Sequence, residues 1–266
     1  MRGLLAISLI GCSYNPPGGS AADAVIDTAP TDSMVDVEMD ATPARITAGL
    51  VALYTFEEGE GVTVADRSAA GTPLDLAIQD PSAVTWSAGR LTLDSETLVA
   101  SPGTADKIRD ACRDADAFTL EAWIAPTAVG GFFPRVVTLS ITNSSLAVSL
   151  LAIDDHFELR MLGPMTDANG LPSLNSPAGT VAVAPIHVAL VSEPGGMRRI
   201  YIDGIERAAD DRGGDLASWG TGAFRLGLGN EIDGGRPWLG TFDLVAIYAA
   251  ALSPTEIATN VAAGPQ

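Results

Sequence analysis

The chain is poor in basic groups. Lys107 is the only lysine in 266 residues, so arginine carries almost all the positive charge. Together Lys and Arg number 15 against 33 Asp and Glu, a formal net charge of −18. Such a surface repels nucleic acid and anionic lipid headgroups, both of which need a basic footprint. It favours solubility and attracts cations such as calcium. No apolar run reaches the roughly 18 residues of a membrane span. There is no Gly-x-Ser-x-Gly elbow and no phosphate-loop lysine. Gly227-Leu-Gly229 lacks the third glycine and the following helix of a dinucleotide loop. The two histidines, His156 in a turn and His187 at a strand start, show no triad or metal spacing, so both are read as structural.

The two cysteines are not equivalent. Met1-Arg2 is a minimal basic region, Leu4 to Ile10 is apolar, and Leu9-Ile10-Gly11-Cys12 follows. This order resembles a lipobox, in which cleavage precedes the cysteine and the thiol is lipidated. Residues 1–12 are therefore expected to be a lipoprotein-type signal with Cys12 as the anchor. The membrane would be reached through that anchor alone, and the protein would sit in the cell envelope or outside it. Cys112 then lacks a partner and reads as a small buried hydrophobe. Residues 13–48 read as an acidic, disordered linker. Pro16, Pro17, Pro30 and Pro43 recur, and Asp23, Asp27, Asp32, Asp36, Glu38 and Asp40 face only Arg45.

From Gly49 the pattern becomes alternating. Leu50 to Phe56 places Tyr54 and Phe56 on one face and Leu53 and Thr55 on the other. Phe118-Thr-Leu-Glu-Ala-Trp-Ile124 points Phe118, Leu120, Ala122 and Ile124 inward and Thr119, Glu121 and Trp123 to the opposite face. Further strands are expected near 136–141, 146–151, 157–161, 187–191, 222–229 and 241–248. Asp203-Gly204 supplies the positive φ of a tight hairpin between Arg199 and Arg207. Ala105 to Ala115 reads as a helix. Ser253-Pro-Thr-Glu256 combines a capping box with proline at the first helical position, predicting a helix through about Ala262. Many short strands with few helices define an all-β, two-sheet antiparallel sandwich with a short C-terminal helix.

With these residues placed, residues 49–266 resemble the laminin G-like domains of the concanavalin A-like lectin and glucanase superfamily. The resemblance rests on an ordered set of pieces. They are Gly49 to Gly61, Asp66-Arg-Ser68, Phe118 to Trp123, Tyr201-Ile-Asp-Gly204, and Leu228-Gly-Asn-Glu231 with Arg236-Pro-Trp238 and Leu239 onward. It implies a jelly roll and a non-catalytic extracytoplasmic binding or adhesion module for carbohydrate or a surface protein. Two alternatives stay open: a structural cell-envelope domain without a small ligand, and a glycan-active enzyme. Retaining glucanases need two carboxylates about 5 Å apart. Glu231-Ile-Asp233 starts such a motif, but Gly234-Gly-Arg236 follows and the second glutamate is missing, so no catalytic residue is expected. The resemblance also implies one calcium at the rim, with Asp66 and Asp243 as candidate ligands. Asp167-Ala-Asn-Gly170 lacks the closing glutamate of a calcium loop and reads as a turn. Trp219 and Trp238, beside loops, are the candidates for stacking on sugar rings.

Overall fold

The computed structural model describes residues 43–265. Cys12 and most of the expected linker lie outside the described residues. The first strands are β1 (Leu50–Tyr54), β2 (Thr63–Val64), β3 (Leu76–Ile78), β4 (Val84–Ser87), β5 (Arg90–Leu93) and β6 (Val99–Ala100). Helix α1 (Asp106–Ala115) follows. The middle of the chain holds β7 (Phe118–Pro126), β8 (Arg135–Thr142), β9 (Ser145–Ile153), β10 (His156–Met161) and β11 (Leu174–Asn175). Then come β12 (Ile186–Ser192), β13 (Arg198–Ile202), β14 (Ile205–Asp210), β15 (Arg225–Leu228), β16 (Gly240–Tyr248) and helix α2 (Pro254–Ala263).

The strands form two sheets. The first has the order β14-β13-β12-β7-β16-β5-β4, with β1 also pairing β16; the second runs β11-β10-β9-β8-β15-β6-β3-β2. The pairs are antiparallel, and first and last strands meet, with Tyr54 opposite Val245. Alternation along each strand decides what is buried. Phe118, Leu120, Ala122 and Ile124 of β7 face Val137, Leu150 and Leu159 of the other sheet in one apolar core. The expected two-sheet jelly roll with its C-terminal helix is what the chain forms.

Local signals act as expected. Asp203 and Gly204 have φ of 50° and 77°, and they join β13 to β14. Ser253 Oγ accepts from the Glu256 amide while the Glu256 carboxylate accepts from the Ser253 amide, so two orphan donors at the start of α2 are satisfied. Cys112 is fully buried, and burial pushes its thiol up to about 12, which leaves it inert as a nucleophile.

The outer face of the first sheet is also covered. Ala189, Val191, Tyr201, Leu244, Ala246 and Tyr248 pack against Leu252 and Ile257 at α2 in a second apolar cluster. Residues at the end of the expected linker dock here as well. The Ile46 amide donates to Asn260 Oδ1 at 2.8 Å, and Arg45 Nη1 donates to Glu121 Oε1 at 2.6 Å. The boundary of the folded unit therefore lies a few residues before Gly49.

Candidate functional site

The outer face of the second sheet is polar. Residues that alternate with the core on β8, β9 and β10 put Thr138, Ser140, Ser149, Glu158 and Arg160 there, and all five are buried. What covers them is chain that rises from the strand ends. One cover is the turn after β15. Asn230 Oδ1 accepts from the amides of Glu231 and Arg236, which folds residues 230–236 into a closed loop. The Trp238 amide returns to the Gly229 carbonyl at 2.8 Å and seals its base.

Glu231 sits at the bottom of this loop. Its side chain is 0% exposed, 2.9 Å from Arg135 Nε, and it also accepts from Ser140 Oγ. Asp233 faces elsewhere and accepts from the Asn143 amide. The two carboxylates of the incomplete glucanase motif are thus held apart by different partners. Glu158, the other acid on this face, is paired with Arg160 at 2.9 Å.

Three arginines converge beside the loop. Burial, then the neighbouring cations Arg160 and Arg236, pulls Arg135 below the ordinary arginine value, and Glu231 opposes the shift. The Arg135 amide donates to the Arg236 carbonyl at 3.0 Å. The Phe133 ring lies 5.1 Å from the Arg160 guanidinium and 5.3 Å from that of Arg236. Arg236 also stacks on Phe132 at 4.3 Å, a cation–π contact. Phe132 is 70% exposed, and Phe133 has φ of 53°, a left-handed conformation that a bulky residue rarely adopts. The loop from Asn230 onward lines two recesses. One of about 450 Å³ is bordered by Asp80, Glu96, Thr97, Asn230 and Asp233. The other, about 210 Å³, is bordered by Gly131, Pro134, Pro237 and Trp238.

The expected site residues fall elsewhere. Trp219 is 1% exposed and donates Nε1 to the Leu162 carbonyl, with its ring 5.7 Å from Phe118. Trp238 is 3% exposed, 4.8 Å from Phe242, and borders the smaller recess. Neither ring offers a face to a sugar, which corrects the expectation drawn from their loop positions. Both are core residues, because the loops beside them fold inward.

Asp66 and Asp243, the candidate calcium ligands, each face a basic side chain. The Asp66 carboxylate accepts from the amides of Leu53, Ser68 and Leu74 and from Lys107 Nζ at 2.6 Å. Burial raises its pKa, but Lys107 and those amides outweigh burial and hold it below the usual carboxylate range. The chain's one lysine is thus the charge partner of this carboxylate. Asp243 lies at an irregularity of β16 and pairs with Arg90 at 3.1 Å; burial raises its pKa and Arg90 opposes. Among the described residues no group of three or more His, Cys, Asp or Glu could hold a metal ion. Lys107→Met is expected to destabilise the domain by about 2 kcal/mol, since a charge-assisted bond to a buried carboxylate is lost. Urea denaturation measures this, and an unchanged midpoint would remove Asp66 as a structural hub.

Phe132, Phe133, Arg135 and Arg160 were not legible as site residues. The available signal was Gly130-Gly-Phe-Phe-Pro134, two adjacent aromatics in a glycine-bounded segment without strand alternation.

Fold and site together define a jelly-roll sandwich with a polar, loop-covered outer sheet face. A family model matches residues 102–258, and the chain belongs to that family, the concanavalin A-like lectin/glucanases superfamily. No curated protein matches. Among solved structures it is similar to Trypanosoma rangeli sialidase in complex with sialic acid, at 15% identity and a TM-score of 0.59, over 82% of this chain and 33% of that one. It is also similar to the binding domain of Botulinum neurotoxin DC in complex with rat synaptotagmin II. That match has 13% identity and a TM-score of 0.58, over 81% of this chain and 52% of the other. The same toxin domain in complex with SialylT matches at 15% identity and a TM-score of 0.56, over 81% and 51%. The chain spans about a third to a half of these solved chains, and at such identities the likeness shows the fold alone.

Proposed function

We propose that the domain is a non-catalytic carbohydrate-binding module, carried outside the inner membrane by a lipid on Cys12. The observation that carries the binding role is Phe132, a large aromatic side chain 70% exposed in the segment whose Gly131 and Pro134 border the smaller recess. An apolar ring supplies a stacking surface for a pyranose. Family membership and the carbohydrate named with two of the solved neighbours support the same reading. The non-catalytic role is supported by Glu231. A general acid must reach the glycosidic oxygen, whereas this side chain is fully buried in contact with Arg135 and Ser140.

A glycan array on the purified domain tests the binding role. Phe132→Ala is expected to weaken the best ligand about tenfold, the order of an aromatic contact. Binding is expected to be unchanged by EDTA, because the Asp66 and Asp243 carboxylates are paired with Lys107 and Arg90. A flat array sinks the proposal. Hydrolysis of β-glucans that disappears in Glu231→Gln would make the protein an enzyme instead. A mass shift lost in Cys12→Ala decides the anchor.

A further inference from the structure

We infer that Arg236, backed by Arg135 and Arg160 and flanked by Phe132, selects acidic saccharides through their carboxylate or sulfate group. The inference rests on the carbohydrate-binding reading and names the ligand class for that surface.

The local charge runs against that of the whole chain. Three guanidiniums meet two carboxylates, Glu158 and Glu231, which leaves one positive charge uncompensated in a chain of net −18. That charge falls on Arg236. Its partners are aromatic: it lies 4.3 Å from the Phe132 ring and 5.3 Å from the Phe133 ring. Its Nη1 is buried and has no hydrogen-bond partner.

The second observation is independent of Arg236. Arg135 is 1% exposed and uses Nε on Glu231, yet its Nη1 also has no partner. Thr138 Oγ1, on the same strand, is buried and unpartnered too. Buried donors are ordinarily satisfied, since an unmade bond retains the full cost of desolvation. Here two arginines joined by a backbone hydrogen bond, Arg135 and Arg236, each keep an unpartnered Nη1. A carboxylate or sulfate is the partner a cationic donor favours, and on half-buried Arg236 a planar guanidinium can meet a carboxylate with two parallel bonds.

The geometry suits an anionic group carried on a ring. Arg236 is half-buried, so a group arriving from solvent meets it first. The adjacent exposed Phe132 ring takes the apolar face of the sugar bearing the acid. Long-range repulsion from the −18 surface is confined to about 8 Å at physiological salt, so it slows approach without cancelling a contact bond.

Isothermal titration of the whole chain with matched oligosaccharides tests this. The arms are a polyuronate oligomer against its methyl ester, and a sulfated oligomer against its desulfated form. Comparing the uronate with the sulfated arm shows which acid is preferred. At least one acidic form is expected to bind about tenfold tighter than its neutral counterpart, the worth of one charge-assisted bond. Arg236→Gln is expected to abolish that preference, and Phe132→Ala to weaken acidic and neutral forms alike. Equal affinity for the paired ligands overturns the inference but leaves the carbohydrate reading standing. Absence of binding in every arm overturns both. An acidic preference that survives in folded Arg236→Gln overturns the assignment to this cluster. Should Arg236→Gln fail to fold, the wild-type comparison and Phe132→Ala still decide the outcome.

Discussion

Replacing Arg135 with methionine is expected to destabilise the domain by about 3–5 kcal/mol, the cost of stranding one member of a buried ion pair. Arg135 is 1% and Glu231 0% exposed, and their contact is 2.9 Å. Without the guanidinium, Glu231 keeps only Ser140 and the Ile232 amide on one oxygen, and it remains out of water. The double variant Arg135→Met with Glu231→Leu is expected to recover most of the loss, since both desolvation penalties vanish together. Urea midpoints at constant slope measure all three proteins. A single-variant cost under about 1 kcal/mol would mean that water reaches the pair. The same result would undercut the burial of Glu231 on which the non-catalytic reading depends.

The second large effect lies on the opposite sheet, at Glu121. This side chain is on the outer face of β7, yet it is 0% exposed. Its Oε1 accepts from Arg45 Nη1 at 2.6 Å and lies 3.1 Å from His187 Nε2; its Oε2 accepts from Asn260 Nδ2 at 2.8 Å and from Tyr248 Oη at 3.4 Å. Burial pushes the Glu121 pKa up, but His187 and Arg45 outweigh burial and bring it below the ordinary value. A depressed carboxyl contributes stability that is present above its unfolded pKa of about 4.3 and is lost as pH falls through the folded value. Tyr248 works at the other limb. Burial and then Glu121 push it up to about 12, so its contribution holds below about pH 10 and is lost as pH rises through the folded value. Glu121→Gln is expected to cost about 3 kcal/mol at neutral pH, because Arg45 is left without its counter-ion. The variant should also lose the steep acid limb below about pH 4 that this carboxylate gives the wild type. Melting temperatures from pH 3 to 8 read both effects. Parallel curves for the two proteins would show that Glu121 does not titrate with folding.

This cluster also shows why parts of the molecule were legible and others were not. The strand reading of Phe118 to Ile124 assigned Glu121 and Trp123 to the face away from the core, and they are there. What covers that face is a helix beginning at Pro254 and a segment ending before Gly49, both distant in sequence. The capping box at Ser253 announced the helix but not its docking through Asn260 on Tyr248 and Glu121. Trp219 and Trp238 failed as sugar platforms for a related reason: a position beside a loop says nothing about whether the loop turns inward. Phe132 was passed over because an isolated pair of phenylalanines carries no period.

Sequence alone therefore determined what short-range physics controls. Alternation at period two assigns strand faces, Asp203-Gly204 sets a hairpin, and Ser253 with Glu256 starts a helix, because each depends on residues a few positions apart. Tertiary structure alone decided which charges are paired and which aromatics are free. Arg135 meets Glu231 across 96 positions and Lys107 meets Asp66 across 41. Arg236 stacks on Phe132 with over a hundred residues between them. Those pairings follow from strand order and loop closure, which bring distant residues within a few ångströms. Local pattern carries no signal for such contacts.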